Sequence, residues 1–301
     1  MSFDKLIGNE KIKQMLISSV QNNNVLHSYM FVGEEGIGKN LFAKEFAKMI
    51  LCSSSDNTSC NQCKSCIQFD GENHPDFMQI KPEDGKTIKI EQLRFMQEKI
   101  AEKPVTSTKK VYLISQCECM TREAANSLLK TLEEPPPYAT IILTTTNESK
   151  VLITIKSRCM KLYFMPIQEQ QILQYLKQSN IDTDFTENML KQCEGSIGKA
   201  LKIIDKKEKY MQIEKIIQLL EKENITQIWR NADVLYQAKE DIIDLLDYME
   251  IVLYNLVKKH NKICYANGIS VIENTKRRIL ANANYDMSID NLLLKLWEEV
   301  S

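Results

Sequence analysis

The apolar run Tyr29-Met30-Phe31-Val32 leads at once into Gly33-Glu34-Glu35-Gly36-Ile37-Gly38-Lys39-Asn40, and after it Phe42, Phe46 and Met49/Ile50 recur about a helical turn apart. An apolar run, a glycine-rich turn and a 3.6-residue period, in that order, predict strand, loop and helix. The spacing Gly-x-x-x-x-Gly-Lys is that of a phosphate-binding loop. In such a loop backbone N–H groups converge on phosphate oxygens at the positive end of the helix, and the lysine reaches the terminal phosphates. The hydroxyl residue that would follow the lysine and ligate Mg²⁺ is replaced by Asn40, a neutral and bulkier group. Gly33, Gly36, Gly38, Lys39 and Asn40 are therefore the candidate nucleotide-binding residues of a degenerate loop. The residues leave open whether ATP or Mg²⁺ is still held there.

Further strands of a parallel sheet are predicted at 77–80, 110–115, 139–147 and 160–164, with a helix bearing Ile90, Leu93 and Ile100 on one face between the first two. A phosphate-loop ATPase closes the strand at 110–115 with Asp-Glu, the Asp for Mg²⁺ and the Glu to activate water. Ser115-Gln116 stands there instead, and neither residue can carry negative charge. Glu118 lies two residues further on, out of reach if the strand continues rigidly. Thr121 is the expected cap of a helix that buries Ala124/Ala125, Leu128/Leu129 and Leu132, and Pro135-Pro136-Pro137 ends it. His74, beside Pro75, reads as a turn or packing residue.

Cys52, Cys60, Cys63 and Cys66 fall within 15 residues, the last three as Cys-x-x-Cys-x-x-Cys, with polar residues 53–59 in the intervening loop. Disulfides are rare in a reducing compartment, so this spacing predicts a tetrahedral Cys₄ zinc site. With all four ligands supplied by protein, no position is left for a catalytic water and the zinc is structural. Reduced thiols without metal and an iron–sulfur cluster are the alternatives.

The chain has 301 residues, 39 basic and 40 acidic, for a formal charge of −1. That is room for two or three domains, and it excludes the global basic field of a stand-alone DNA-binding protein. The N-terminal residues do not read as a signal sequence, and no apolar run approaches the roughly 18 residues that span a bilayer, so a soluble cytoplasmic protein without membrane contact is expected. From Pro166 the pattern is helical without strands. Ile172 to Leu176, Met189 to Cys193 and Ala200 to Ile204 supply a small core. Ile213, Ile216/Ile217 and Leu220, then Ile242, Leu245/Leu246, Met249 and Leu253, mark later bundle helices. Lys258-Lys259-His260 and Lys276-Arg277-Arg278 read as solvated faces.

Several stretches together resemble one family. His27-Ser28-Tyr29-Met30-Phe31-Val32-Gly33, the four-cysteine insertion, His74-Pro75-Asp76, the run from Ala124 to Pro136, Thr144-Thr145-Thr146-Asn147 and Ser157-Arg158-Cys159 are similar to the clamp-loader branch of the AAA+ ATPases, densely over 1–205. The resemblance implies a RecA-like α/β domain at 1–165 with the zinc insertion at 52–66, a helical lid at 166–207 and an all-helical collar at 208–301. It further implies a heteropentameric ring with motor (gamma/tau) and delta subunits, loading a sliding clamp on primer–template DNA during DNA replication by DNA polymerase III. Arg158 resembles an arginine finger, acting on a neighbour's ATP. The lid motif resembled by Gly195-Ser196-Ile197-Gly198-Lys199 carries an Arg where this chain has Gly198; Lys199 is about 100° further round the helix. Asn40, Ser115-Gln116 and Gly198 all depart from the motor pattern, which implies a ring member that does not hydrolyse ATP. A slow but active motor subunit with atypical Mg²⁺ ligands is the alternative.

Overall fold

The computed structural model describes residues 3, 6–54, 59–83, 86–181, 184–220 and 225–300. The chain forms two compact units: residues 1–175 with 195–198, and residues 176–194 with 199–301.

The first unit is built on a five-stranded parallel sheet. Helix α1 (Glu10–Gln21) precedes β1 (Ser28–Val32), which is followed by α2 (Lys39–Leu51), α3 (Lys64–Asp70), β2 (Phe77–Ile80) and α4 (Ile90–Ala101). Then come β3 (Lys110–Ile114), α5 (Arg122–Glu133), β4 (Ala139–Thr145), the single turn α6 (Ile153–Lys156) and β5 (Met160–Tyr163). Strand order is β2-β3-β4-β1-β5, all neighbours parallel, with Tyr29 opposite both Ile142 and Met160.

Every residue of β1, β3 and β4 is buried. Helices cover both faces of a parallel sheet, so its central strands read as continuous apolar runs rather than alternating ones. The alternation survives in which core each residue joins. Tyr29, Phe31, Val111, Leu113 and Ile142 pack with Leu16, Phe42 and Phe46 of α1 and α2. Met30, Tyr112, Ile114, Ile141 and Leu143 pack with Leu93, Met96, Leu128 and Leu132 of α4 and α5. Tyr29 meets Phe46, and Phe42 meets Phe164, edge to face at centroid distances of 5.1 and 5.0 Å.

Three strand ends differ from the sequence expectation. β3 stops at Ile114, β4 at Thr145 and β5 at Tyr163. For β3 the reason is local: Gln116 takes a left-handed backbone (φ 53°), and Cys117–Cys119 form a 3₁₀ turn. Ile90 is half-buried, whereas Met96, not singled out in the sequence, sits fully inside between Leu93 and Ile100. Thr121 caps α5 as expected, its hydroxyl accepting from the Ala124 N–H at 3.2 Å.

The chain leaves the first unit within α7 (Glu169–Gln178). Beyond it are α8 (Glu187–Gln192), α9 (Ile197–Asp205), α10 (Lys207–Leu220), α11 (Ile225–Arg230), α12 (Asp233–Gln237), α13 (Ile242–His260), α14 (Ile263–Leu280) and α15 (Tyr285–Val300). In the second unit α13 packs on α8, α10 and α14, and α14 packs on α15. Leu245, Leu246, Met249, Ile272, Leu292 and Leu296 are fully buried there. A buried polar knot ties this unit: the Glu214 carboxylate accepts from Thr186 Oγ1 at 2.8 Å, Asn188 Nδ2 at 3.0 Å and the Tyr248 hydroxyl. Among the described residues no helix is long and apolar enough to cross a membrane.

Candidate functional site: a phosphate loop without its charged ligands, and a four-cysteine cluster

The glycine-rich loop leaves the C-terminal end of β1, where it faces the ends of β3 and β4. Gly38 caps α2 at φ 99°, a backbone that side chains rarely adopt. The Lys39 ammonium is turned back onto the loop and donates to the carbonyls of Gly33 at 2.7 Å and Glu34 at 2.6 Å. Burial lowers the pKa of Lys39, and the charges of Glu118, Glu34 and Glu35 act in the opposite sense.

At the position of a Mg²⁺ ligand, Asn40 Oδ1 accepts from Ser115 Oγ and from Thr144 Oγ1, both at 3.1 Å. Gln79 Nε2 donates to Ser115 Oγ at 3.0 Å, and the Gln116 N–H reaches Thr144 Oγ1 at 3.3 Å. The expected weak points, Asn40, Ser115 and Gln116, are thus joined in one neutral hydrogen-bond net. The Asn40 oxygen that could face a divalent cation is taken by two hydroxyl donors, and no member of the net brings negative charge. Gln79 is not marked by the sequence because it lies on another strand, 36 residues from Ser115; Thr144 belongs to the run Thr144–Asn147, but its bond to Asn40, 104 residues away, depends on strand order.

Glu118 corrects an expectation. The left-handed turn at Gln116 takes it off the strand line, and its Oε1 accepts from the Thr146 N–H at 2.9 Å and hydroxyl at 2.6 Å. Burial pushes this carboxyl up, but the Thr146 bonds prevail and hold it below the usual carboxylate range. Its Oε2 is buried without a hydrogen-bond partner among the described residues. A carboxylate does therefore lie close enough to act on Lys39, although it is bonded to Thr146 and not to the Asn40 net.

The segment 195–198 closes over the loop. The Gly198 N–H donates to the Gly36 carbonyl at 3.0 Å, and a Cβ at 198 would stand 2.7 Å from Gly36 Cα. No side chain, Arg included, fits there without moving backbone. Lys199 is turned to a local carboxylate, Glu194.

Arg158 lies at the opposite end of β1 from the loop. Its carbonyl accepts from Ser28 Oγ, at the start of β1, at 2.6 Å. A five-residue strand is about 17 Å long, so Arg158 is separated from its own chain's phosphate loop by the height of the sheet. Its guanidinium is held by the Glu133 carboxylate and by the Thr154 carbonyl at 2.7 Å, with a third of the side chain exposed.

Cys52, Cys60, Cys63 and Cys66 converge beyond the C-terminal end of α2, their sulfurs all within 4.8 Å of one another. The separations Cys52–Cys60, Cys52–Cys63 and Cys60–Cys66 are 3.6, 3.9 and 4.0 Å. A tetrahedral zinc with Zn–S bonds of about 2.3 Å requires S···S edges of about 3.8 Å, so the four sulfurs fit that ion. Backbone N–H groups of Ser54, Cys63 and Cys66 point at the sulfurs of Cys52, Cys60 and Cys63 at 3.3–3.4 Å. Burial opposes ionisation of Cys63, yet the bonds it accepts from Ser53 and Cys66 bring its thiol down to about 5, while burial pushes Cys66 well up. Of the loop expected between Cys52 and Cys60, residues 55–58 lie outside the described residues.

Two polar residues of α2 that the sequence does not mark anchor this cluster. Lys48, 1% exposed, donates to both Asp70 oxygens at 2.8 Å and to Asn61 Oδ1 at 2.5 Å. Glu45, 3% exposed, accepts from Ser59 Oγ at 2.5 Å. His74 has the expected packing role. Its Nδ1 accepts the Asp76 N–H at 3.0 Å, which leaves Nε2 to donate to Ser65 Oγ at 2.8 Å, and Ser65 donates in turn to the Leu51 carbonyl at 2.6 Å.

Comparison with known proteins shows the family of the chain. The family model described as "DNA polymerase III, delta subunit" matches residues 8–168. The delta' subunit of DNA polymerase III from Bacillus subtilis is 28% identical over 320 aligned residues, which cover 96% of each chain. The gamma/tau subunit of Mycoplasma genitalium is 28% identical over 99% of this chain and 54% of its own length, and the tau/gamma subunit of Haemophilus influenzae is 34% identical over 68% of this chain and 30% of its own. The chain thus spans about half or less of these two gamma/tau relatives. Among solved structures, a DNA polymerase III gamma subunit-related protein from Thermotoga maritima aligns with a TM-score of 0.51 at 19% identity, covering 95% of this chain and 100% of that one, a likeness of fold.

Proposed function

We propose, from the premise that this chain belongs to the DNA polymerase III, delta subunit family, that it is a delta-prime-type clamp-loader subunit that holds its ring together without hydrolysing ATP. The observation that carries this reading is the neutral net around Asn40. Ser115 and Thr144 both donate to its side-chain oxygen, and the two carboxylates that bind Mg²⁺ and activate water in a working phosphate-loop ATPase have no counterpart in it. Lys39 spends two of its three donors on loop carbonyls, and Gly198 lies on the loop where a motor subunit's lid arginine would enter. Each feature takes away a group that would meet nucleotide, and none adds one.

In this reading the chain is a cytoplasmic protein that joins gamma/tau and delta subunits in a pentameric ring and takes part in placing the sliding clamp on primer–template DNA. The RecA-like domain over 1–165, the lid over 166–207 and the collar over 208–301 are its proposed parts. The four cysteines hold a structural zinc, with no catalytic role. Arg158 acts in trans: with the sheet between it and its own loop, its guanidinium would serve the γ-phosphate of an adjacent motor subunit, with Glu133 holding it until that phosphate arrives.

Turnover of ATP by the purified chain, measured beside a Lys39→Ala variant, tests the central claim. Equal background rates are expected. A Lys39-dependent rate at ordinary motor levels would establish the active-motor alternative, with Glu118 the first residue to examine as its base.

A further inference from the structure

Three consecutive cations in α14, Lys276, Arg277 and Arg278, are treated by the fold in two different ways. The Lys276 ammonium is only slightly exposed and stands 2.8 Å from Asp247, 2.8 Å from Glu250 and 3.0 Å from Glu273. Its two neighbours face elsewhere. They line a cleft of about 430 Å³ between α14 and α15, together with Asn274, Thr275, Asn291 and Lys295. No carboxylate lines that cleft, and among the described residues none stands within ion-pair distance of Arg277, Arg278 or Lys295. Glu273, one turn before Arg277, pairs with Lys276 and feels the Arg277 charge only from beyond ion-pair distance. In a chain whose formal charge is −1, three cations around one cleft that no carboxylate lines stand out from the paired lysines elsewhere.

The last turn of α14 accounts for part of this, since cations there meet the negative end of the helix dipole. It does not account for Lys295, which comes from the middle of α15 and lines the same cleft. Nor does it account for the way Arg278 is set. Its Nη1 donates to Asn291 Oδ1 at 3.0 Å, which fixes the guanidinium plane and leaves the Asn291 amide N–H groups for another acceptor.

We infer that this cleft binds a phosphate group. Two guanidinium forks, an ammonium and two amides offer many donors and three positive charges, which suits a multi-oxygen anion better than a single carboxylate. The one apolar side chain lining the cleft is Val271, and no aromatic ring lines it. A docked peptide would need apolar anchors and a stacked base would need a ring, so the phosphate is held by its oxygens alone. Such a contact positions a ligand without reading its sequence. The phosphate can come from a nucleic-acid backbone or from a free phosphate compound. This goes beyond the clamp-loader reading, which assigns no phosphate contact to the helical unit, and it stands or falls separately from ATP turnover.

The test uses the full chain with two probes: a short fluorescent DNA duplex followed by anisotropy, and inorganic pyrophosphate followed by calorimetry. Arg277→Ala/Arg278→Ala is expected to weaken binding about tenfold or more. For the duplex it should also lower the slope of log K against log salt by about 2, one for each phosphate that an arginine no longer neutralises. Lys295→Ala should weaken the same probe less. Lys258→Ala/Lys259→Ala, which removes two exposed cations of α13, serves as a charge-matched control and should bind as the unaltered chain does. Loss with the duplex alone assigns a nucleic-acid backbone, and loss with pyrophosphate assigns a free phosphate compound. The inference is overturned if both probes bind the arginine variant undiminished, or if the lysine control loses as much. It is equally overturned if a polyglutamate peptide binds in an arginine-dependent way while neither phosphate probe does.

Discussion

The two ends of helix α2 carry two side-chain clusters of contrasting chemistry. At its N-terminus the phosphate loop keeps its backbone, but the groups that would meet a nucleotide are neutral or turned inward: Asn40 bonds to Ser115 and Thr144, and Lys39 to the loop carbonyls. About 20 Å away, at 1.5 Å per residue, the C-terminus leads into four sulfurs spaced for a tetrahedral ion, and Glu45 and Lys48 of the same helix brace that loop. The packing of this strand–loop–helix frame does not depend on a bound phosphate. Phe42, Phe46 and Ile37 are core residues whether or not a phosphate is bound. The cysteine end has fewer apolar residues of its own, so a bound ion would contribute a larger share of its order.

The sharpest way to break the comparison is at the metal end. About one zinc per chain is expected by elemental analysis of protein purified without chelator. Removing it should be the most destabilising single change, since apparent zinc-binding free energies in small fingers reach roughly 10–16 kcal/mol. Cys66→Ser should reproduce the loss, its sulfur being wholly buried. A chain that contains no stoichiometric metal and melts identically with and without chelator would remove the contrast between the two ends.

A second, smaller effect is expected at Lys48. Lys48→Met keeps the buried stem and deletes the ammonium with its bonds to Asn61 and Asp70; Asp70 is half-exposed and can rehydrate, so the cost should be about 1–3 kcal/mol. Zinc should also leave faster in a chelator competition. If stability falls while zinc release is unchanged, Lys48 braces α2 but not the metal loop.

How much of this was legible in the sequence depended on how far apart the cooperating residues lie. The sheet could be read because strands buried on both faces are continuous apolar runs, and the cysteine cluster because its ligands are close together in the chain. The Asn40 net could be anticipated only as a set of losses. That Ser115 and Thr144, 75 and 104 residues from Asn40, would bond to it depends on strand order. The place of Glu118 off the strand line was not legible because nothing in Ser115-Gln116-Cys117 announces a left-handed residue. Glu45 and Lys48 carry no mark in the sequence, because it is tertiary packing of the cysteine loop on α2 that engages them.

At the phosphate-loop end, Gly198→Ala measures how tightly the 195–198 segment is seated. Its Cβ would meet Gly36 backbone at 2.7 Å, so a loss of about 1–2 kcal/mol is expected, of the size that overpacking usually costs. Gly198→Arg should lift the segment off the loop. Unchanged melting in both variants would mean that the segment does not rest on the loop in solution, and the phosphate loop would then be open to nucleotide.

The smallest expected effect on the chain itself is at Arg158, where the comparison moves from stability to assembly. An exposed Arg–carboxylate pair contributes roughly 0–1 kcal/mol, so Arg158→Ala should melt within about a degree or two of the unaltered chain. If the guanidinium only paired with Glu133, nothing else would change, and Glu133→Gln would behave the same way. If it serves a neighbour's γ-phosphate, the two variants part company. Arg158→Ala should lower DNA-stimulated ATP turnover and clamp loading in a reconstituted ring. Glu133→Gln, which frees the guanidinium, should leave both intact or raise them. An arginine finger is worth roughly 10³–10⁵ in rate at the site it serves. The ring's total loss should nevertheless be partial, because its other ATP sites draw on other subunits. Arg158→Lys keeps the charge but not the planar fork, so it should fall close to the alanine variant. Turnover and loading unchanged in Arg158→Ala, with the ring intact by gel filtration, would reduce Arg158 to the partner of Glu133.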